Sequence, residues 1–230
     1  MSLDAIKAIA FDADDTLWVN ETLFRSAEEE FCELMKDYID TETCNKRLFE
    51  VEMRNLPMYG YGIKPFALSL IEAAIEFSGG KVSNQTIQKI IGIGKEMLEA
   101  PIELLDGVEE TLAGLNGKYR LVMATKGDLL DQERKLIKSG LEKYFHHIEI
   151  VSDKQPRHYS KLVKHLDIGP EAFLMVGNSM KSDILPVLEI GAHAFHIPFH
   201  TTWAHEMAND PVDEPRFRKL DNAREMLGLL

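Results

Sequence analysis

Apolar and polar positions along this chain follow two rhythms. Residues 6–11 form a short, almost unbroken apolar run, as expected of a strand buried on both faces. From Leu23 the spacing becomes helical, with Leu23, Phe24, Ala27, Phe31, Leu34, Met35 and Tyr38 on one stripe. A second helix is predicted over 43–55. Pro57, Gly60 and Gly62 then read as a loop over 55–64. A third helix carries Phe66, Leu70, Ala74 and Phe77 and stops at Gly79-Gly80. Ser83 is the N-cap expected for a fourth, which holds Ile87, Ile90, Ile91, Met97 and Leu98 and is weakened by Gly92 and Gly94. No strand is predicted between 20 and 100.

From Glu103 onward helices and apolar strands alternate. Strands are expected over 120–124, 147–151, 172–176 and 194–197, with helices between them and a short helix over 223–229. Such alternation indicates a doubly wound α/β fold, a parallel sheet covered on both faces. The predicted organisation is an α/β core of residues 1–18 and 101–230, interrupted by an all-helical insert, 19–100.

The first strand ends in acid: Asp12, Asp14 and Asp15, followed by Thr16 and Leu17. Unpaired buried carboxylates are costly, so the cluster calls for compensating charge, and a cation is the simplest source. Asp15 is expected to face outward or to organise the loop. Ligands of open parallel sheets bind beyond the carboxyl ends of the strands. Three other predicted strands end in polar residues: Thr125-Lys126-Gly127-Asp128, Ser152-Asp153-Lys154, and Asn178-Ser179 with Asp183 five residues past Asn178. Asp128 suits a helix N-cap or first turn. Lys161 competes with Lys154 but lies inside a predicted helix.

This order of D-x-D-x-T after an apolar strand, then Thr, Lys and Asn/Asp at later strand ends, resembles the haloacid dehalogenase-like superfamily, most of whose members are phosphatases. The resemblance implies a Rossmann-like core with a helical cap inserted after the first motif. It implies a Mg²⁺-dependent hydrolase acting on a small phosphorylated metabolite. Asp12 would be the nucleophile, forming an aspartyl-phosphate, and Asp14 the general acid and base. Thr125, Lys126, Gly127 and Lys154 would hold the phosphoryl group. Asp12, the Asp14 backbone carbonyl, Asn178 and Asp183 would serve the metal. The family's fourth motif usually begins Gly-Asp, whereas this chain has Gly177-Asn178; weaker metal binding, or more reliance on Asp183, is expected. Alternatives on the same fold are a phosphomutase, a 2-haloacid dehalogenase and a non-catalytic phosphate-binding module. The dehalogenase reading is weakened by Asp14, an acid with an obvious use in ester cleavage.

Composition narrows the remaining options. The 230 residues carry a net charge of −12, which disfavours nucleic-acid binding through a basic face and requires any phosphate site to be locally positive. No apolar run is long enough to span a bilayer, and the first residues, with Asp4 and Lys7, do not read as a secretory signal. Cys32 and Cys44, the only cysteines, suit reduced thiols in a cytoplasmic protein better than a disulfide scaffold. His193, His196, His200 and His205 are expected as strand-end and loop residues rather than a zinc site, with Trp203 near the site entrance. Arg25, Lys46, Arg47, Arg54 and Lys64 in the insert are candidates for contacts to a leaving group. Oligomeric state is left open by the sequence.

Overall fold

The structure, a computed structural model, describes residues 3–201, 203–206, 208–209 and 214–230. These residues fall into two compact units. One comprises Met1–Glu21, Ile102–Lys126 and Gln132–Leu230; the other comprises Thr22–Pro101 and Gly127–Asp131.

The first unit is built on a six-stranded parallel sheet, β1 (Ala8–Phe11), β2 (Arg120–Lys126), β3 (His147–Val151), β4 (Phe173–Gly177), β5 (His193–His196) and β6 (Phe217–Lys219), in the order β3-β2-β1-β4-β5-β6. Phe11 lies level with Met123 on one side and Val176 on the other. The strand period of two divides the apolar residues between faces. Ile9, Phe11, Met123 and Val176 pack with Val108, Leu112 and Leu115 of α5 (Val108–Leu115) and with Met226. Ala8, Ala10, Val122 and Met175 pack with Tyr159, Leu162 and Val163 of α7 (Pro156–His165) and with Val187 of α8 (Leu185–Glu189). Each fully buried aliphatic side chain contributes roughly 1.5–3 kcal/mol. A parallel sheet covered in this way directs its carboxyl edge, where Asp12 begins, toward ligand chemistry.

Residues 19–21 stay with the sheet. The Val19 N–H donates to the Glu103 carbonyl at 2.9 Å, and the Asn20 and Glu21 N–H groups donate to the Asp15 carboxylate.

The second unit packs α1 (Glu21–Leu34), α2 (Thr41–Tyr59), α3 (Ile63–Phe77) and α4 (Asn84–Glu99) around Phe31, Met35, Leu48, Leu70, Ala74 and Ile90. Ser83 caps α4 as expected, accepting the Thr86 N–H at 3.0 Å. Gly94 is explained by packing, since a Cβ there would meet the Ala67 Cβ at 2.9 Å. The loop expected over 55–64 is shorter: α2 runs through Pro57 to Tyr59. Tertiary bonds offset the lost backbone bond, because Asn55 donates to Ser69 Oγ and Glu72 and the Tyr59 hydroxyl also reaches Glu72.

One other expectation changes, and two features had no expectation. Residues 223–228 form a 3₁₀ helix rather than an α-helix. The segment after Asn178 opens with a π-helical turn, Met180–Ile184. β6 has only Phe217 as an apolar residue and gave no periodic signal.

Candidate active site

Four strand ends build the site within the sheet unit. Asp12 follows β1, and its N–H donates to the Val176 carbonyl at 2.9 Å, fixing it beside β4. Lys154 lies three residues beyond β3, just before α7, and is buried. Its ammonium bridges two carboxylates, 2.5 Å from Asp12 Oδ1 and 2.6 Å from Asp183 Oδ1. Residues 142 and 29 positions apart in sequence from Lys154 thus share one cation.

Asp183 is wholly buried, and its other oxygen accepts the Ser179 N–H at 3.0 Å. The π-turn brings it against Gly177, where an added Cβ would lie 2.3 Å from Asp183 Oδ2. Only glycine leaves room for that approach.

Two carboxyl groups share this one ammonium. Burial pulls Lys154 down, but Asp12 and Asp183 carry it above its ordinary value, so it stays protonated. Burial and the neighbouring Asp183 push Asp12 up against the pull of Lys154.

Asp14 is held differently. Its carboxylate accepts from Trp18 Nε1 at 2.8 Å, Gln132 Nε2 at 2.8 Å and Lys135 Nζ at 2.9 Å. Burial alone would raise its pKa, but Lys135, Trp18 and Gln132 hold it below the usual carboxylate value. Asp14 therefore rests as an anion. Asp15 is buried, which removes the outward-facing option; its carboxylate organises the entry to α1, at a backbone φ of 59°.

Thr16 ties the first and fourth strand ends together. Its hydroxyl accepts the Asn178 N–H at 3.1 Å and donates to Asn178 Oδ1 at 3.3 Å, with Asp12 Oδ2 3.5 Å away. Asp12 Oδ2 and Asn178 Oδ1 thus both lie within 3.5 Å of the Thr16 hydroxyl oxygen. One charged and one neutral hard oxygen suit a magnesium ion, so the donor chemistry here fits that metal. Asp183 contributes differently, since its oxygens are engaged by Lys154 and the Ser179 N–H. Among the described residues, no group of three or more His, Cys, Asp or Glu is arranged to hold a metal. His193 and His196 lie on β5, and the His205 ring packs 5.0 Å from that of Trp203.

The remaining predicted residues are more dispersed. Thr125 is buried at the end of β2, and its hydroxyl donates to the Lys126 carbonyl at 3.2 Å. Gly127 follows with a φ of 131°. Lys126 points to an internal carboxylate, 2.5 Å from Glu206 Oε1 and 2.8 Å from Ser182 Oγ. Ser179 and Ser182 hydroxyls also donate to Glu206. Burial opposes ionisation of Glu206, but Lys126 and the two serines lower its pKa to about 2. Asp128 is a helix-start residue: it accepts the Asp131 N–H and pairs with Lys64 at 2.7 Å. Lys161 is exposed on α7.

Sequence reasoning missed Gln132, Lys135 and Glu206. Gln132 and Lys135 share the inward stripe of α6 (Leu129–Ser139), whereas Leu129, Leu130 and Ile137 are exposed. That inverted polarity was a readable signal. Glu206 sits in a stretch without periodicity and left none.

Together these features place a cluster of buried charged groups at the carboxyl edge of a parallel α/β sheet. Residues 6–191 match the family model of the haloacid dehalogenase-like hydrolases; the chain belongs to this family and is a hydrolase. A crystal structure of a haloacid dehalogenase-like family hydrolase from Xanthomonas campestris is 38% identical, covers 98% of this chain and 90% of its own, and superposes with a TM-score of 0.88. A glyceraldehyde 3-phosphate phosphatase of Methanopyrus kandleri is 25% identical over 98% of this chain and 97% of its own length. A magnesium-bound hydrolase of Bacillus subtilis, YfnB, shares the fold at 16% identity, with a TM-score of 0.65 and 98% of each chain covered.

Proposed function

We propose that this hydrolase is a Mg²⁺-dependent phosphatase that cleaves a small phosphomonoester through an aspartyl-phosphate on Asp12. The observation that carries the reading is the buried Asp12–Lys154–Asp183 cluster at the carboxyl edge of the sheet. The phosphatase relatives support the same chemistry and make glyceraldehyde 3-phosphate the first substrate to test.

In this reading Asp12 attacks phosphorus and the leaving alcohol departs with a proton. Water then attacks the acyl phosphate, releasing phosphate and restoring Asp12. Lys154 orients the nucleophile and neutralises phosphoryl charge, and Asp183 positions Lys154. The Thr125 hydroxyl and the backbone N–H groups after β2 hold phosphoryl oxygens. Asp14, resting as an anion, is suited to accept the proton of the attacking water. To protonate the leaving alcohol it must first release Lys135 and take up a proton. Asp12, Asn178 and the Asp14 carbonyl would hold the magnesium ion, which would supply masking of the substrate's negative charge. The helical unit is assigned the role of a substrate-selecting cap.

A 2-haloacid dehalogenase is the second reading, favoured by Asn178 in place of a carboxylate and by the engagement of Asp14 with Lys135. One experiment separates them. The purified protein should hydrolyse p-nitrophenyl phosphate with Mg²⁺ and release no halide from 2-chloropropionate, and Asp12→Asn should abolish turnover in a folded protein. Halide release without phosphate release would reverse the assignment, and an active Asp12→Asn would remove the nucleophile.

A further inference from the structure

The helical unit contains the chain's two cysteines, and it brings them together. Cys32 lies in the last turns of α1 and Cys44 in the first turn of α2. Both are fully buried, yet their Sγ atoms are 2.6 Å apart. At that separation only the hydrogen of the Cys32 thiol lies between the sulphurs, and each thiol is the other's nearest reaction partner. Both cysteines belong to the apolar interior that also holds Phe31, Met35, Leu48 and Val51.

We propose that Cys32 and Cys44 form a reversible intramolecular disulfide when the protein meets a hydroperoxide, making this pair an oxidative modification site separate from the phosphatase chemistry.

The two thiols differ in a way that assigns their roles. Cys32 donates to Cys44 Sγ and also lies 3.2 Å from Asn45 Oδ1. That donated bond lowers the Cys44 thiol below its ordinary value against burial and the neighbouring Asp40 carboxylate, with a smaller pull from Arg47, while Cys32 is pushed up by the same bond and by burial. The start of α2 adds the positive end of its helix dipole to the Cys44 side. Cys44 is accordingly the attacking thiolate and Cys32 the resolving thiol.

The steps balance with hydrogen peroxide as oxidant. Cys44 thiolate attacks a peroxide oxygen, breaks the O–O bond and becomes a sulfenic acid, and hydroxide leaves to take up the thiol proton as water. Cys32 sulphur then displaces the sulfenic oxygen, which leaves with a proton as a second water. Two thiols are oxidised, one peroxide is reduced, and no further reagent is needed. Burial selects for a small oxidant. The turn between the two helices is exposed at Lys36, Asp37, Tyr38 and Asp40.

The test uses the reduced full-length protein, desalted, treated with stoichiometric hydrogen peroxide and digested with trypsin without reductant. Mass spectrometry should find the peptide of residues 26–36 linked to that of 37–46, with the two free peptides restored by dithiothreitol. In Cys32→Ser, Cys44 should instead accumulate as a sulfenic acid trapped by dimedone, a product absent from the parent. The parent experiment decides alone if that variant does not fold. Recovery of both parent peptides as free thiols, their oxidation to sulfinic or sulfonic acids, or linkage between two chains would each overturn the proposal. None of these outcomes bears on p-nitrophenyl phosphate turnover, so the two readings fail independently.

Discussion

The two units treat charge in opposite ways. In the sheet unit, Asp12, Lys154 and Asp183 meet inside the protein, the Lys154 and Asp183 side chains only 3% and 1% exposed. In the helical unit, Arg47 and Arg54 flank Glu76 at 2.7 and 2.9 Å on side chains 39–56% exposed, over an interior that is almost wholly apolar. Exposed pairs are worth about 0–1 kcal/mol, while buried ions carry a desolvation cost that attraction offsets only with good geometry. Stability alone gives little reason to bury the first cluster. The nucleophile role proposed for Asp12 would give one, because a dry carboxylate next to a fixed cation is pre-organised for attack.

That contrast can be broken most directly at Lys154. Lys154→Met leaves two carboxylates buried without their cation. It should lower phosphatase turnover about 10²- to 10³-fold and cost about 3–5 kcal/mol in urea unfolding at neutral pH. A variant as stable and as active as the parent would show that the cluster does neither job.

The helical unit should respond to lost volume instead. Leu70 is fully buried, and Leu70→Ala should cost about 2–5 kcal/mol by the same unfolding measurement. A cost below that of an exposed pair would mean that the apolar interior is not what holds these helices.

Glu206 supplies a pH-dependent version of the comparison. Its folded pKa of about 2 lies below its ordinary 4.5, so its contribution is complete above pH 4.5 and is lost as pH falls toward 2. The difference corresponds to about 3 kcal/mol. The stability gap between parent and Glu206→Gln should therefore be widest at neutral pH and close on acidification; a gap that grows in acid would reverse the sign.

The smallest effect is expected at the surface. Arg54→Ala removes one arm of the Glu76 pair and should change stability by less than about 1 kcal/mol, less still in high salt. A larger loss would place this pair in the same class as the buried one.

Much of this was legible from local pattern. The apolar run into Asp12 marked β1, and polar residues after later strands marked Lys154, Asn178 and Asp183. Ser83 announced its helix by capping chemistry. The limits of α2 were not legible, because Pro57 signals a break and only the bonds of Asn55 and Tyr59 to Glu72 carry the helix past it. Nor was the partner of Lys126, since nothing in the sequence around Glu206 distinguishes it from other loop acids.

The sequence by itself determined which residues could carry charge, nucleophile or cap, and the periodicity that makes a buried parallel sheet. These are local properties, set within a few residues by side-chain chemistry and backbone preference. Tertiary structure alone decided which charges met: that Lys154 joins Asp12 to Asp183, that Lys135 holds Asp14 as an anion, and that Cys32 lies against Cys44. Electrostatic and bonding interactions depend on distance in space and on the exclusion of water. Neither is fixed until the strands and helices have packed.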